Sequence, residues 1–181
     1  AATSRYNASG SHLAAAKNLN NGGRVFRYAG GKKWSDCGRV SDAEFIFGLV
    51  VFGGQLYATT MDAPPNQLKR PNRGLYRYEG GQQWTYCGNP GGRVAALAVA
   101  NGRLYGTGYN GGQLGGVFRY EGGTNWTNFG APPGVDQTYS FAFHHGEMHV
   151  GTWHEGKVFR YTGPNSYSDD GRLGAELEVM G

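Results

Sequence analysis

Four near-identical tetrapeptides constrain the fold of this chain more than any other feature of its sequence. The chain has V-F-R-Y at 25–28, L-Y-R-Y at 75–78, and V-F-R-Y again at 117–120 and 158–161. Their starts are 50, 42 and 41 residues apart. Self-similarity at a period of roughly 20–50 residues indicates a repeat architecture, in which each repeat is one supersecondary unit.

Each tetrapeptide is followed by a Gly-rich turn and then by an aromatic residue, in the pattern Y-x-G-x-x-x-W. The aromatic residues are Trp34, Trp84, Trp126 and Tyr167. An apolar stretch, a tight turn and a second stretch come next, and the turns align at 53–54, 101–102 and 145–146. The second turn is Asn-Gly, which is a strong hairpin signal. One repeat therefore contains four short strands.

Four short strands per repeat of about 40–50 residues are typical of a β-propeller blade. Glycine makes up 33 of 181 residues and aromatics 14%, which favours strands joined by tight turns. A β-sandwich is the alternative, but sandwiches do not repeat in this way. We predict an all-β fold: a single β-propeller domain over 1–181, with repeats at roughly 1–57, 58–105, 106–149 and 150–181.

The aligned repeats place both ends of the sequence within blades. Two alternatives follow from this alignment. Either the two ends cooperate in one incomplete blade, or the sequence is a piece of a larger propeller whose remaining blades are its partners. We favour the second alternative.

The cysteines and the paired histidines are candidate metal ligands, and both are predicted to be structural. Cys37 and Cys87 occupy the same W-x-x-C-G slot in successive repeats, and equivalent positions in neighbouring blades lie too far apart for a disulfide. We predict two free, buried thiols. His144 and His145 fall in a strand–strand turn, and adjacent strand residues point to opposite faces. We expect no metal and no cofactor.

Charge and hydropathy narrow the possible partners. The net charge is +4, but the Lys and Arg residues are dispersed, whereas a nucleic-acid surface needs them clustered. No apolar run is long enough to span a membrane. Asn-x-Ser/Thr sequons occur at Asn7 and Asn125. We expect a secreted or extracellular protein that binds no nucleic acid and has no membrane span.

The loops that do not repeat are the candidate functional surface. In a four-stranded blade, the loops between the second and third strands and the crossovers between blades share one face, and function concentrates on such loops. The longest, at 3–23, contains a predicted short helix at 11–18. The candidate substrate-binding residues are Arg5, Tyr6, His12, Lys17, Asp62, Arg70, Arg73, Tyr109, Trp153 and His154. Aromatic rings and cationic donors suit sugars that carry carboxylate or sulfate groups. The plainer alternative is that long loops are simply polar and basic.

The Y-x-G-G-x-x-W turn, followed by an apolar strand, N-G and L-Y, resembles the blades of secreted bacterial-type propellers of the kelch and lectin kinds. It also shows a fainter resemblance to propeller-fold polysaccharide lyases such as the ulvan lyases. The resemblance implies the propeller architecture and does not specify an activity. Because aromatic and cationic residues converge on the loops, our leading hypothesis is a carbohydrate-binding propeller with an anionic glycan as ligand. The first alternative is a polysaccharide lyase with His12 or Tyr6 as base, and the second is a protein-interaction scaffold. The sequence leaves enzyme and binder open and identifies no catalytic residue.

Overall fold

The computed structural model describes residues 1–4, 22–62, 73–109 and 115–180, and this part of the chain contains 14 β-strands and no helix. The strands are β1 (Arg24–Tyr28), β2 (Trp34–Arg39), β3 (Phe45–Phe52), β4 (Gln55–Met61), β5 (Leu75–Gly80), β6 (Gln83–Tyr86), β7 (Arg93–Ala100), β8 (Arg103–Tyr109), β9 (Val117–Gly122), β10 (Asn125–Asn128), β11 (Gln137–His144), β12 (Glu147–Trp153), β13 (Lys157–Gly163) and β14 (Ser166–Arg172).

The strands form four successive antiparallel blades. The first blade contains β1 and β2, together with a bridge from Ala2 to Val25. The second blade is β3-β4-β5-β6, the third β7-β8-β9-β10 and the fourth β11-β12-β13-β14. Consecutive strands pair as hairpins throughout each four-stranded blade. The predicted all-β fold and its four-stranded unit are confirmed.

Neighbouring blades are joined at one end by short backbone bridges. Ser4 pairs with Phe45, Tyr109 with Gln137 and Trp153 with Glu178. Tyr109 is the last residue of β8 and Gln137 the first of β11, while Trp153 ends β12 and Phe45 begins β3. We call this end the loop face: it is where β3, β7 and β11 begin and where β4, β8 and β12 end.

The tetrapeptides are scaffold. Val25, Leu75 and Val117 are buried in the three apolar clusters that lie between successive blades. Two tetrapeptide arginines pair with a carboxylate on their own strand, Arg77 with Glu79 and Arg119 with Glu121. Arg119 also lies 5.4 Å from the centre of the Phe129 ring.

In the second, third and fourth blades, the aromatic residue that follows the Gly-rich turn ties its blade to the preceding one. The indole of Trp84 donates to the carbonyl of Cys37 at 2.8 Å, and that of Trp126 donates to the carbonyl of Cys87 at 3.2 Å. In the fourth blade the Tyr167 hydroxyl donates to carbonyl oxygens of the third blade at 3.2–3.3 Å. Both cysteines are free and buried, as predicted. The hairpin turns at 53–54, 101–102 and 145–146 are also confirmed.

Candidate functional site

A cleft opens where the inner strands of three blades converge at the loop face. Its enclosed space is about 10 Å³, room for about one water molecule, and the rest of the cleft opens to solvent. Its walls come from β3, β4, β7 and β11, and it is lined by Phe47, Met61, Arg93, Ala95, Gln137 and Tyr139. The residues from each inner strand are two apart, because alternate side chains of a strand point to the same face. We call this the channel cleft.

Two aromatic rings from non-adjacent blades meet across the channel cleft. The centres of the Phe47 and Tyr139 rings are 6.2 Å apart at an angle of 66°, an edge-to-face arrangement. Phe47, Ala95 and Tyr139 are each the third residue of their inner strand. Because the third blade has only the methyl group of Ala95 at this position, the rings of the second and fourth blades can approach each other.

Polar groups line the same cleft beside the rings. Arg93 and Gln137 are the first residues of β7 and β11, and both side chains are largely buried. The Arg93 guanidinium contacts the sulfur of Met61 at 3.9 Å. The cleft therefore combines two rings, an apolar floor, a guanidinium and an amide, the mixture of apolar walls and few polar groups found in ligand sites.

A network of ion pairs lies beside the cleft, on the loops of the first and second blades. Asp62 is 0% exposed and Arg73 5% exposed, and their side chains pair at 2.6 Å. Arg73 also contacts the Asp42 carboxylate at 2.8 Å. Asp62 additionally accepts from the backbone N–H of Glu44 at 3.2 Å. The network joins the crossover at 40–44 to the loop that follows β4.

The ion pairs shift the pKa of the groups at the edge of this network. Burial acts to raise the pKa of Asp42, but the hydrogen bond and charge of Arg73 outweigh it and leave the pKa below its ordinary value. Burial likewise acts to lower the pKa of Arg73, and its two carboxylate partners reverse the shift and raise it. The guanidinium of Arg73 is thus firmly held as a cation by its neighbours.

The structure brings several of the predicted site residues to the loop face. Asp62 and Arg73 lie together there, each bonded to the other. Trp153 ends β12 opposite Gln137 of the cleft, and the exposed His154 follows it with a φ of +73°. Tyr109 ends β8, and its backbone pairs with both Arg93 and Gln137. The remaining predicted residues lie outside the described residues: Arg5, Tyr6, His12, Lys17 and Arg70, together with the predicted helix at 11–18.

Sequence reasoning missed the residues that line the channel cleft, because it assigned the inner strands to the scaffold and sought function in the loops. One signal was available. Arg93 opens the otherwise apolar stretch R-V-A-A-L-A-V, where a charged residue has no place in a fully buried strand. The aromatic residues Phe47 and Tyr139 carry no such signal, since aromatic residues also fill the spaces between blades.

Two further features bear on the site chemistry. Within the described ranges, no three His, Cys, Asp or Glu side chains come together as a metal site. The part of the chain that the structure describes also contains no helix long and apolar enough to cross a membrane.

Comparisons with known proteins identify the fold. No protein-family profile matches the sequence, and no curated protein matches it. Among solved structures, the chain is similar to a catalytically inactive histidine-to-alanine variant of virginiamycin B lyase from Staphylococcus aureus, with quinupristin. The TM-score is 0.62 at 13% sequence identity, over 86% of this chain and 50% of that chain. This chain thus spans half the length of its structural neighbour. The likeness shows that the chain has a β-propeller fold.

Proposed function

We propose that this propeller binds a carbohydrate carrying anionic groups, with one sugar ring lying across the mouth of the channel cleft. The observation that carries the proposal is the combination of two rings and a guanidinium in one opening at the loop face. The size of the cleft limits the ligand. The enclosed space is only about 10 Å³, room for about one water molecule, so a single sugar ring would lie across the mouth of the cleft and not inside it.

The aromatic rings supply a surface for the apolar face of a sugar. The Phe47 side chain is 41% exposed, so part of its ring is available to a ligand. The edge-to-face contact with Tyr139 fixes the orientation of both rings before a ligand arrives. A rigid aromatic surface loses little conformational entropy on binding, and this favours affinity.

The polar side chains supply selectivity for an acidic sugar. A guanidinium can bind a carboxylate or sulfate through two parallel hydrogen bonds, which are stronger than neutral ones. Arg93 is placed at the wall of the cleft to do this, and Gln137 offers an amide to a hydroxyl. The net charge of +4 assists the approach of an anionic ligand.

Calorimetry with a short oligogalacturonate and with a neutral galactose oligomer of the same length tests the proposal. We expect the acidic oligomer to bind more tightly. Phe47→Ala and Tyr139→Ala should each weaken binding about tenfold, which corresponds to ~1.4 kcal/mol. Val51→Ala is the matched control, because Val51 is an exposed residue at the other end of β3. Equal affinity for the two oligomers, or no effect of either ring substitution, would contradict the proposal.

A second candidate function is that of a lyase, and the structural neighbour favours it, since that protein is named as a lyase whose histidine-to-alanine variant is inactive. Among the described histidines, His154 is the one at the loop face. His144 and His145 lie at the opposite end of the blade, and His149 lies within β12. A neutral imidazole at this face can take a proton from the carbon next to a uronate carboxylate.

Ultraviolet absorbance of unsaturated uronate products separates this candidate from a pure binder. If the chain is a lyase, His154→Ala should abolish product formation, while His145→Ala, a matched change in the β11–β12 turn, should leave it intact. Binding without any absorbance change would leave the carbohydrate-binding role alone. Activity that survives His154→Ala would exclude this histidine as the base.

A further inference from the structure

We infer that the acidic group recognised at the channel cleft is a carboxylate, so that the ligand is a uronic acid and not a sulfated sugar. This inference rests on the proposed function, because it concerns the same site, and it specifies the chemical class of the ligand. The size, the lining and the rigidity of the enclosed part of the cleft carry it.

The enclosed part of the channel cleft has room for a single oxygen atom of a ligand. Its volume is about 10 Å³, and a space of this size holds about one water molecule. A carboxylate is planar and has two oxygens, so one oxygen can enter the space while the other stays at the mouth. A sulfate ester carries three terminal oxygens arranged as a tripod around sulfur. This wider group cannot enter a space made for one oxygen.

Two largely buried polar side chains reach the enclosed space. Arg93 lines it from β7 and Gln137 from β11, and they are 6% and 5% exposed. A guanidinium carries five N–H donors, so Arg93 can contact the sulfur of Met61 and an oxygen of the ligand at the same time. A ligand oxygen inside the space therefore meets a cationic donor.

The rest of the wall is apolar or aromatic, and this makes the charge of the ligand oxygen matter. It is formed by Phe47, Met61, Ala95 and Tyr139. Away from water, the attraction between a guanidinium and an anionic oxygen is stronger than it is in bulk solvent. A neutral hydroxyl fits the same space but gains only an ordinary hydrogen bond, because its oxygen is not ionised. The space thus favours a carboxylate over a hydroxyl by charge and over a sulfate by size.

Ala95 sets the depth of the enclosed space. It lines the cleft at the third position of β7, where the neighbouring blades have the larger Phe47 and Tyr139. The backbone carbonyl of Ala95 accepts from the hydroxyl of the buried Thr59 at 3.1 Å, which ties β7 to the second blade. Because this strand is held in place, the wall does not retreat when a larger group approaches, and size can discriminate between ligands.

The sugar ring lies on the aromatic residues at the mouth. Phe47 is 41% exposed and Tyr139 half-buried, and their ring centres are 6.2 Å apart. A hexuronic acid carries its carboxylate on a carbon outside the sugar ring. The ring can therefore rest on Phe47 while the carboxylate points into the cleft towards Arg93.

Calorimetry with three trimers of equal length tests the inference: a galacturonate trimer, a 6-sulfated galactose trimer and an uncharged galactose trimer. The two acidic trimers carry the same number of anionic groups, so they differ in the shape of the group. We expect the galacturonate trimer to bind about tenfold more tightly than the sulfated trimer, because only the carboxylate reaches the guanidinium of Arg93.

Two substitutions of Ala95 change the depth of the space in opposite directions. Ala95→Val should fill it and weaken galacturonate binding about tenfold, while the affinity for the galactose trimer stays unchanged. Ala95→Gly should enlarge it, so that the sulfated trimer binds nearly as tightly as the galacturonate trimer. Ala100→Val is the matched control, because it makes the same change at the other end of β7 and should alter none of the three affinities. Circular dichroism checks that each variant is folded.

Failure of the inference and failure of the proposed function give different results. If the two acidic trimers bind equally tightly, and both more tightly than galactose, the ligand is not restricted to uronic acids and the anionic-sugar proposal stands. A carboxylate preference that is unchanged in both Ala95→Val and Ala95→Gly would also overturn the inference. If neither acidic trimer binds more tightly than galactose, the proposed function fails and the inference fails with it.

Discussion

The hydroxyl of Thr59 donates to the backbone carbonyl of Ala95 at 3.1 Å and so joins the second strand of one blade to the inner strand of the next. The same hydroxyl accepts from the backbone N–H of Gly48 at 2.8 Å. Thr59 is fully buried, so all three groups depend on one side chain for their hydrogen bonds. This contact holds β3 and β7 beside the channel cleft, since Phe47 directly precedes Gly48 and both Phe47 and Ala95 line the cleft.

Thr59→Val should lower the free energy of unfolding by about 1–3 kcal/mol, because the change keeps the shape but leaves a buried N–H and a carbonyl without the hydroxyl. Thr59→Ser retains the hydroxyl and should cost less. Urea unfolding of the two variants measures the difference. Equal stability of the valine and serine variants would mean that the hydrogen bonds contribute nothing.

Removing the indole N–H between blades should have a measurable cost. Trp84→Phe and Trp126→Phe keep an aromatic ring but leave a carbonyl of the preceding blade without its donor, so each should lower the free energy of unfolding by about 1–3 kcal/mol. Trp34→Phe is the matched control, because the indole N–H of Trp34 has no acceptor among the described residues. Thermal unfolding at one low protein concentration compares all three. A cost for Trp34→Phe equal to the others would contradict the role of the hydrogen bond.

The close approach of Gly88 to the next blade gives a second matched comparison. An alanine in the left-handed region costs roughly 1–2 kcal/mol wherever it is introduced. At Gly88 the added Cβ would also lie 2.7 Å from the carbonyl oxygen of Thr124, whereas at Gly171 it meets nothing. Gly88→Ala should therefore lower the free energy of unfolding, measured by chemical denaturation, more than Gly171→Ala does. Equal effects would mean that the blades separate without cost.

The ion pair between Arg73 and Asp62 should behave as a unit. Arg73→Met removes the cation from a fully buried carboxylate, and breaking a buried pair in this way costs about 3–5 kcal/mol. Asp62→Leu alone should also destabilise the fold, because it strips Arg73 of one of its two partners. The double substitution should cost less than the sum of the single ones, with the coupling measured by a double-mutant cycle. Additive costs would show that the two side chains do not interact.

Acid should destabilise the first blade through Asp36. The hydrogen bond from Arg24, the backbone N–H of Gly38 and the charge of Arg24 together hold the pKa of Asp36 below its ordinary value of 3.8, against a smaller opposing effect of burial. A carboxyl group whose pKa is lowered on folding contributes stability above its unfolded pKa and loses it as pH falls through the folded pKa. The drop in melting temperature between about pH 5 and pH 2 should be smaller in Asp36→Asn than in the parent protein. An identical drop would mean that this ion pair adds no stability.

Much of the fold could be predicted from the sequence because the same local sequence pattern recurs in successive blades. The glycine turns, the apolar strand segments and the spacing of Trp84 and Trp126 each recur, so the same strands can be identified in successive repeats. The prediction of free thiols rests on the same repeat. Cys37 and Cys87 occupy equivalent positions of successive blades, and such positions lie too far apart for a disulfide.

The candidate site could be predicted only in part. The repeat frame correctly placed the ends of β4, β8 and β12 at one face, and with them Asp62 and Trp153. It could not predict that the Arg73 guanidinium pairs with the carboxylates of Asp42 and Asp62. Ion pairing depends on distances between loops of different blades, and loop conformation is set by side-chain contacts that the local sequence does not encode.

The sequence by itself determined the strands, their order and the blade, because hairpin turns and strand periodicity are local properties of a few consecutive residues. Only the tertiary structure decided which side chains of β3, β7 and β11 meet in the channel cleft. That meeting depends on the angle between blades and on the small size of Ala95 between Phe47 and Tyr139. The tertiary structure also decided that Trp34 is exposed while Trp84 is half-buried. The two residues stand in the same sequence pattern, and they differ because Trp84 packs against the first blade and donates its indole N–H to the carbonyl of Cys37.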